Sequence, residues 1–222
     1  MPSVLLLGAT GLVGSACLRQ LLDDPAIVRV VTLTRRPLPD GVRSPKLEAR
    51  VGDLERLDTM VDSFVASRVI CALGTTIRVA GSQARFRVVD YDIPLAAARL
   101  ARQSGTRHFL LVSSLGADPK SRVFYSRVKG ELEQALTGVG FPSVSIVRPS
   151  LLLGQRKQFR IGEEIAKALS WVPLGPYAAI HADDVAAALV RLAKEERPGV
   201  RIVTSSQMRA WARERRRAME GA

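Results

Sequence analysis

The chain predicts one α/β domain: a doubly wound, mainly parallel sheet with helices on both faces and a small C-terminal cap. Three observations predict it. Short apolar runs alternate with helix-period segments almost without interruption, the pattern of strands covered on both faces and joined by right-handed crossovers. The first run feeds a glycine-rich turn that opens a helix. And 222 residues, 47% of them hydrophobic, suffice for one full core.

In chain order, strands are expected at 3–7, 28–33, 46–51, 68–72, 107–112, 143–148 and 200–203. Helices are expected at 12–22, 55–65, 83–103, 122–138, 161–169, 182–194 and 206–217. Phe109-Leu-Leu-Val112 and Val144-Ser-Ile-Val147 are short and mostly apolar, as strands inside a covered parallel sheet should be. Residues 151–181, rich in Gly, Pro and aromatics, break the rhythm. They are expected to form a small substrate-side cap beside the carboxyl ends of the strands, where ligands of such sheets bind. No repeat or linker divides the chain, so 1–222 reads as a single domain.

Composition narrows the function classes. The net charge is +12, and arginine supplies 27 of the 33 basic residues, spread along the chain. Only Arg209–Arg217 concentrates them, which reads as a solvated terminal helix. Without aromatic interleaving, a helix-turn-helix signal or a zinc finger, nucleic acid is not an expected partner. Cys17 and Cys71 read as buried fillers, not a disulfide framework. His108 and His181 have no Cys or His at ligand spacing, so no metal is expected. No apolar run approaches the roughly 18 residues of a membrane span, and no charged leader precedes the first strand. The expectation is a cytoplasmic protein with no membrane partner.

The amino-terminal turn is the strongest signal. Val4-Leu5-Leu6-Leu7 runs into Gly8-Ala-Thr-Gly11-Leu-Val-Gly14 and then an amphipathic stretch. A strand, a glycine turn and a helix start in that order lay a pyrophosphate on backbone N–H groups. The spacing is G-x-x-G-x-x-G, which leaves a bare structural turn as the other reading. Gly8, Thr10, Gly11, Leu12 and Val13 are the candidate cofactor-binding residues here. The second strand ends in Arg35-Arg36, with Arg35 lying 21 residues past Gly14. An acid at that place accepts a ribose 2′-hydroxyl, whereas a guanidinium matches a 2′-phosphate, so the pair favours NADP over NAD. Asp53, followed by Leu54, closes the third strand. It is placed to accept from an adenine amino group or to cap the following segment, and one residue can serve both.

Candidate chemistry follows the fifth strand. Ser113-Ser114 ends it, and Tyr125-Ser-Arg-Val-Lys129 comes 11 to 12 residues later. Tyr and Lys at i, i+4 share one helix face. A phenol with an ordinary pKa near ~10 is a poor acid or base at neutral pH, and an adjacent ammonium moves it towards the working range. A serine hydroxyl can hold a carbonyl oxygen and stabilise its developing charge.

With these residues in this order, the chain resembles short-chain dehydrogenases/reductases of the extended or atypical kind, built on an NAD(P)-binding Rossmann sheet. GATGLVG, Asp53, the strand-end Ser-Ser, Tyr-x-x-x-Lys, Arg148-Pro149 and His181-Ala-Asp-Asp-Val-Ala fall in that family's order over nearly the whole chain. More narrowly, Cys71–Thr76, Phe109–Asp118 and Tyr125–Glu131 resemble the small Tat-interacting-protein-type oxidoreductases. The resemblance implies NADPH as cofactor, Tyr125 as acid/base, and Lys129 as its partner and ribose ligand. It implies Ser114 as the carbonyl-orienting hydroxyl, with Ser113 as the fallback. Leu73-Gly74-Thr75 would pass the cofactor at the end of the fourth strand, and Pro149 would edge the nicotinamide. One departure stands out: extended members often carry an asparagine in the long central helix, where this chain has Asp90.

The expected function is therefore NADP(H)-dependent reduction of a small-molecule carbonyl, or its reverse, by Ser114, Tyr125 and Lys129. The alternative is an NADPH-sensing binding protein with little or no catalysis, and a protein partner or homo-oligomer stays open. Other residues have plainer readings. His181 and Asp183-Asp184 read as a helix start, and Glu163-Glu164 as a solvated first turn. Met208 and Trp211 read as packing residues. Phe124, Phe159, Trp171 and Tyr177 read as core before pocket. The loop Thr75–Arg87, with Arg78 and Arg85, reads equally as a cover for the cofactor or a mobile loop.

Overall fold

The computed structural model describes residues 2–153 and 178–220. Its strands are β1 (Ser3–Leu7), β2 (Arg29–Thr34), β3 (Leu47–Val51), β4 (Arg68–Cys71), β5 (His108–Val112), β6 (Ser143–Arg148), β7 (Leu152–Leu153), β8 (Ile180–His181) and β9 (Gly199–Thr204). Its helices are α1 (Leu12–Asp23), α2 (Ile77–Ala80), α3 (Gln83–Arg87), α4 (Ile93–Gln103), α5 (Phe124–Thr137), α6 (Ala182–Lys194) and α7 (Ser205–Glu220). A seven-stranded sheet runs β3-β2-β1-β4-β5-β6-β9, every neighbouring pair parallel. This is the doubly wound α/β fold the sequence predicts.

Strand periodicity explains the two layers. Along β1, Val4 and Leu6 join α1, α6 and α7 in one apolar cluster, while Leu5 and Leu7 join α4 and α5 in the other. All four are fully buried, so β1 is apolar throughout instead of alternating. Connections leave β1 towards β2 on one side and return to β4 on the other. The crevice between the carboxyl ends of β1 and β4 is thus the topological switch point, where ligands of open α/β sheets sit.

Local departures from expectation have local causes. The stretch expected as a helix over 55–65 is a 3-10 segment, Leu57–Phe64, broken by non-helical backbone at Met60. It is short and holds Asp58, Thr59, Val61 and Asp62, residue types that hold an α-helix weakly. The helix expected over 83–103 is continuous but contains a π turn, Val88–Asp92, where the Ile93 N–H reaches back to the Val88 carbonyl. Pro94 accounts for it, because its ring would clash with the carbonyl four residues earlier, that of Asp90. The loop Thr75–Arg87 is ordered into α2 and α3, capped by the Thr76 and Ser82 hydroxyls. Of the expected cap, Leu152–Leu153 and Ile180–His181 pair in parallel as a small second sheet. Residues 154–177, including the helix expected at 161–169, Phe159, Glu163, Glu164, Trp171 and Tyr177, lie outside the described residues.

Candidate active site

A cleft of about 730 Å3 opens at the switch point, within the size range of small-molecule and cofactor sites. Nine of the candidate cofactor residues line it: Gly8, Thr10, Gly11, Arg35, Arg36, Leu54, Leu73, Gly74 and Thr75. Two glycines make the turn feasible. Gly8 has φ +84°, and a Cβ there would lie 2.5 Å from the Ala72 carbonyl oxygen, so no side chain fits between β1 and β4. On Gly14 a Cβ would lie 1.9 Å from the Gly8 carbonyl oxygen, so this residue lets α1 pack onto the turn. Gly11 occupies the N-cap of α1 and offers no side-chain acceptor to the helix. The first amides of a 12-residue helix therefore face the cleft uncapped, a ready site for an anion. This supplies the chemistry a pyrophosphate needs, so the residues present fit a dinucleotide.

Leu12 and Val13 do not line the cleft: Leu12 packs partly buried against the core and Val13 is buried in it. Asp53 does not line the cleft. Its Oδ1 accepts from the Glu55 N–H at 2.9 Å, holding the turn that follows β3. Glu55 itself lines the cleft and pairs with Arg85 of α3 through two bonds of 2.8 and 3.1 Å. Arg35, Arg36 and Arg85 against one glutamate leave this rim positive. Sequence reasoning missed Glu55; its only signal was a place two residues past the strand-end acid.

None of Ser114, Tyr125 and Lys129 is itself among the residues lining the cleft; Lys129 adjoins its wall at Gly74. Lys129 Nζ lies 2.7 Å from Asp90 Oδ1, with both side chains buried. Asp90 Oδ2 accepts from the Thr75 N–H at 2.9 Å, so one carboxylate ties α5, the π turn and the cleft wall together. Burial opposes the charge on Lys129, but Asp90 and the neighbouring Tyr125 outweigh it, and the ammonium titrates above its ordinary range. Burial raises the Asp90 carboxyl, with Lys129 and the Thr75 amide pulling against it. The asparagine departure is thus a buried ion pair. Tyr125, half-buried, stacks against Phe86 of α3 with ring centroids 5.5 Å apart.

The two serines separate. Ser113 Oγ donates to Glu133 Oε1, and Glu133 is held by Arg148, whose Nε lies 3.0 Å from the same oxygen. Ser114 Oγ is buried with no hydrogen-bond partner among the described residues. A buried hydroxyl left unpaired costs about 1–3 kcal/mol. Thr32 Oγ1 and His108 Nδ1 are likewise unpaired among the described residues, but of the three Ser114 alone follows the carboxyl end of a strand. Glu133 stands one turn beyond Lys129, so Tyr125, Lys129 and Glu133 repeat at i, i+4 on α5; that periodicity was the missed signal for it. Pro149 is buried beside this group, its carbonyl accepting the Leu115 N–H at 2.8 Å, and it does not line the cleft.

Elsewhere the plainer readings describe the structure. His181 is the N-cap of α6, Asp183 pairs with Arg19, and Asp184 accepts from Arg216 of α7 at 3.0 Å. Met208 is buried, and Trp211 packs under Arg191 and Arg201. Both cysteines are buried, with burial pushing Cys17 up to about 12 and Cys71 up to about 11.

Comparison with known proteins agrees with this geometry. A family model described as NAD(P)H-binding matches residues 8–196. Protein fmp52, mitochondrial, of Emericella nidulans is 38% identical over 172 residues, covering 75% of this chain and 74% of that protein. Protein HTATIP2 of Rattus norvegicus is 38% identical over 167 residues, covering 74% and 69%. Among solved structures, MoeE5 in complex with UDP-glucose and NAD matches with a TM-score of 0.72 at 22% identity, over 93% of this chain and 79% of that one, a likeness of fold. The cytoplasmic expectation is overturned, because the fmp52 relatives of Emericella nidulans, Candida albicans and Aspergillus fumigatus are all named mitochondrial. That expectation rested on an absent leader, and an absence carries no address. With a matched model spanning most of its length and relatives 38% identical over about three quarters of it, the chain belongs to the NAD(P)H-binding family.

Proposed function

We propose that the chain is an NADP(H)-dependent oxidoreductase of the short-chain dehydrogenase/reductase type that reduces a small-molecule carbonyl, or runs the reverse. The observation that carries this is the buried, unpartnered Ser114 hydroxyl at the end of β5. The bare start of α1, with Gly8, Thr10 and Gly11, would hold the pyrophosphate, backed by the Leu12 and Val13 amides. Arg35 and Arg36 would hold a 2′-phosphate, since guanidinium matches phosphate bidentately. Leu54, Leu73, Gly74 and Thr75 would wall the nucleotide, with Asp53 shaping the turn beneath Leu54. When bound, the cofactor supplies a hydride.

The protein's own residues do the rest. Ser114 Oγ donates to the carbonyl oxygen, fixing its place and stabilising the charge that develops there. Tyr125 gives its hydroxyl proton to that oxygen as the C–O bond becomes an alcohol. Lys129, held by Asp90, keeps a positive charge beside the phenol and offers its remaining N–H donors to a ribose. Pro149 holds the backbone after Ser114 through the Leu115 amide and would edge the nicotinamide. Ser113 is occupied by Glu133, which leaves Ser114 as the reacting serine.

The test is NADPH oxidation over a panel of aldehydes, ketones and quinones, with Tyr125→Phe beside the parent. Turnover by the parent and a loss of about 10³-fold in the variant, with NADPH affinity retained, is expected. Equal turnover in both removes Tyr125 from the chemistry. Tight NADPH binding with no turnover on any carbonyl favours the sensing alternative.

A further inference from the structure

The carboxylate beside the site's lysine bears on the two redox forms of the nucleotide. Asp90 is fully buried, Lys129 is 4% exposed, and 2.7 Å separates Oδ1 from Nζ. The pair adjoins the cleft wall: a methyl on Gly74 would lie 3.5 Å from Asp90 Oδ1 and 3.7 Å from Lys129 Nζ. An asparagine at position 90 would still offer an oxygen to the Thr75 amide but would carry no charge. Lys129 would then be a lone buried cation.

Surrounding groups do not replace Asp90. Among the described residues it is the one carboxylate within ion-pair distance of Lys129. Cys71, at the end of β4, is buried with its thiol pushed up to about 11, and so is neutral. On α5, Glu131 is paired with Arg87 and Glu133 with Arg148. From the π turn, Tyr91 lies under the Arg87 guanidinium. Tyr125 is a phenol and brings no carboxylate.

The oxidised nicotinamide ring bears a positive charge and the reduced ring does not. A lone ammonium at the wall therefore penalises one form and leaves the other alone, whereas a neutral pair discriminates little. Resting on the NADP(H) reading above, we infer that Asp90 is a specificity-determining residue for cofactor redox state. Its carboxylate cancels the Lys129 charge and so admits the oxidised nucleotide as well as the reduced one. Both are needed in a site that must release one form and take up the other.

Calorimetric Kd values for NADP+ and NADPH, measured on the parent, Asp90→Asn, Lys129→Met and the double variant, test this. The readout is the ratio of the two constants, in which shared losses of shape or ribose contact cancel. Asp90→Asn should turn the ratio against NADP+ by ~10-fold, a charge effect across a poorly solvated wall. Lys129→Met should turn it towards NADP+, and the double variant should return to within about threefold of the parent. A ratio unchanged in either single variant, or moving the same way in both, overturns the inference. If a single variant does not fold, the double variant decides, since it buries no net charge there; a displacement beyond about threefold overturns the inference. Failure of the parent to bind either nucleotide is a separate result and would sink the NADP(H) reading itself.

Discussion

At the amino end of the sheet, the Arg68 guanidinium donates to the Ala193 and Ser67 carbonyls and to Glu196, which also receives Arg107. There the Thr106 hydroxyl donates to the Ala66 carbonyl, and His108 Nε2 lies 2.9 Å from Ser145 Oγ. At the carboxyl end, the Ser114 hydroxyl is buried without a partner among the described residues, and α1 begins with uncapped amides. Both ends bury charge and each holds a buried atom without a partner among the described residues, His108 Nδ1 at one and Ser114 Oγ at the other, but only the carboxyl end adds uncapped helix amides and a cleft. The difference teaches where to look: a buried unpaired atom alone marks nothing, whereas one at the same sheet end as uncapped amides and a switch-point cleft marks a candidate ligand site.

Four changes press on that comparison, in falling order of effect. Gly14→Ala places a methyl where the Gly8 carbonyl oxygen stands, 1.9 Å away. It should cost roughly 3 kcal/mol or more and abolish nucleotide binding; urea melting with wild-type stability would show that the turn is not packed as described. The second change acts on the amino end. Burial, helped by Arg68, holds His108 down at about 4, below its ordinary ~6.5. The unfolded chain therefore takes up a proton between those values that the folded chain refuses. Stability that is full above pH ~6.5 is lost progressively as pH falls towards ~4, by at most about 3 kcal/mol. His108→Gln should flatten that slope in melts across this window while leaving nucleotide binding unchanged. An equally steep slope in the variant would contradict the buried neutral ring.

The third change contrasts the adjacent serines. Ser114→Ala should lower turnover about 100-fold with little loss of stability, since its hydroxyl has no partner to lose. Ser113→Ala should leave turnover nearly intact and cost about 1 kcal/mol, because it strips a bond from Glu133. The reverse pattern would exchange their roles. Smallest is Arg35→Ala, expected to weaken NADPH about tenfold and NADH hardly at all; equal weakening of both would remove the 2′-phosphate from this rim.

Much of this was legible in the chain before folding was considered. Apolar runs without alternation announced a sheet covered on both faces, and the glycine spacing announced the β1–α1 turn. Nine cofactor candidates reached the cleft because strand ends converge there by topology. What escaped were relations between distant elements. Asp90 was noticed only as a missing amide, because nothing in Val89-Asp-Tyr-Asp shows that Pro94 widens the helix there. The Glu133 clasp on Ser113, and the Glu55–Arg85 bridge, likewise depend on which side chains tertiary packing brings within reach. Asp53 shows the converse: of its two local readings, the fold displays the turn bond to the Glu55 amide.

The central claim is that the switch-point cleft holds a 2′-phosphorylated nicotinamide dinucleotide, and calorimetric titration of the unaltered chain with NADPH and with NADH tests it most directly. The account predicts saturable one-to-one binding of NADPH, with NADH weaker by about tenfold or more. No heat with either nucleotide, or tighter binding of NADH, would contradict it.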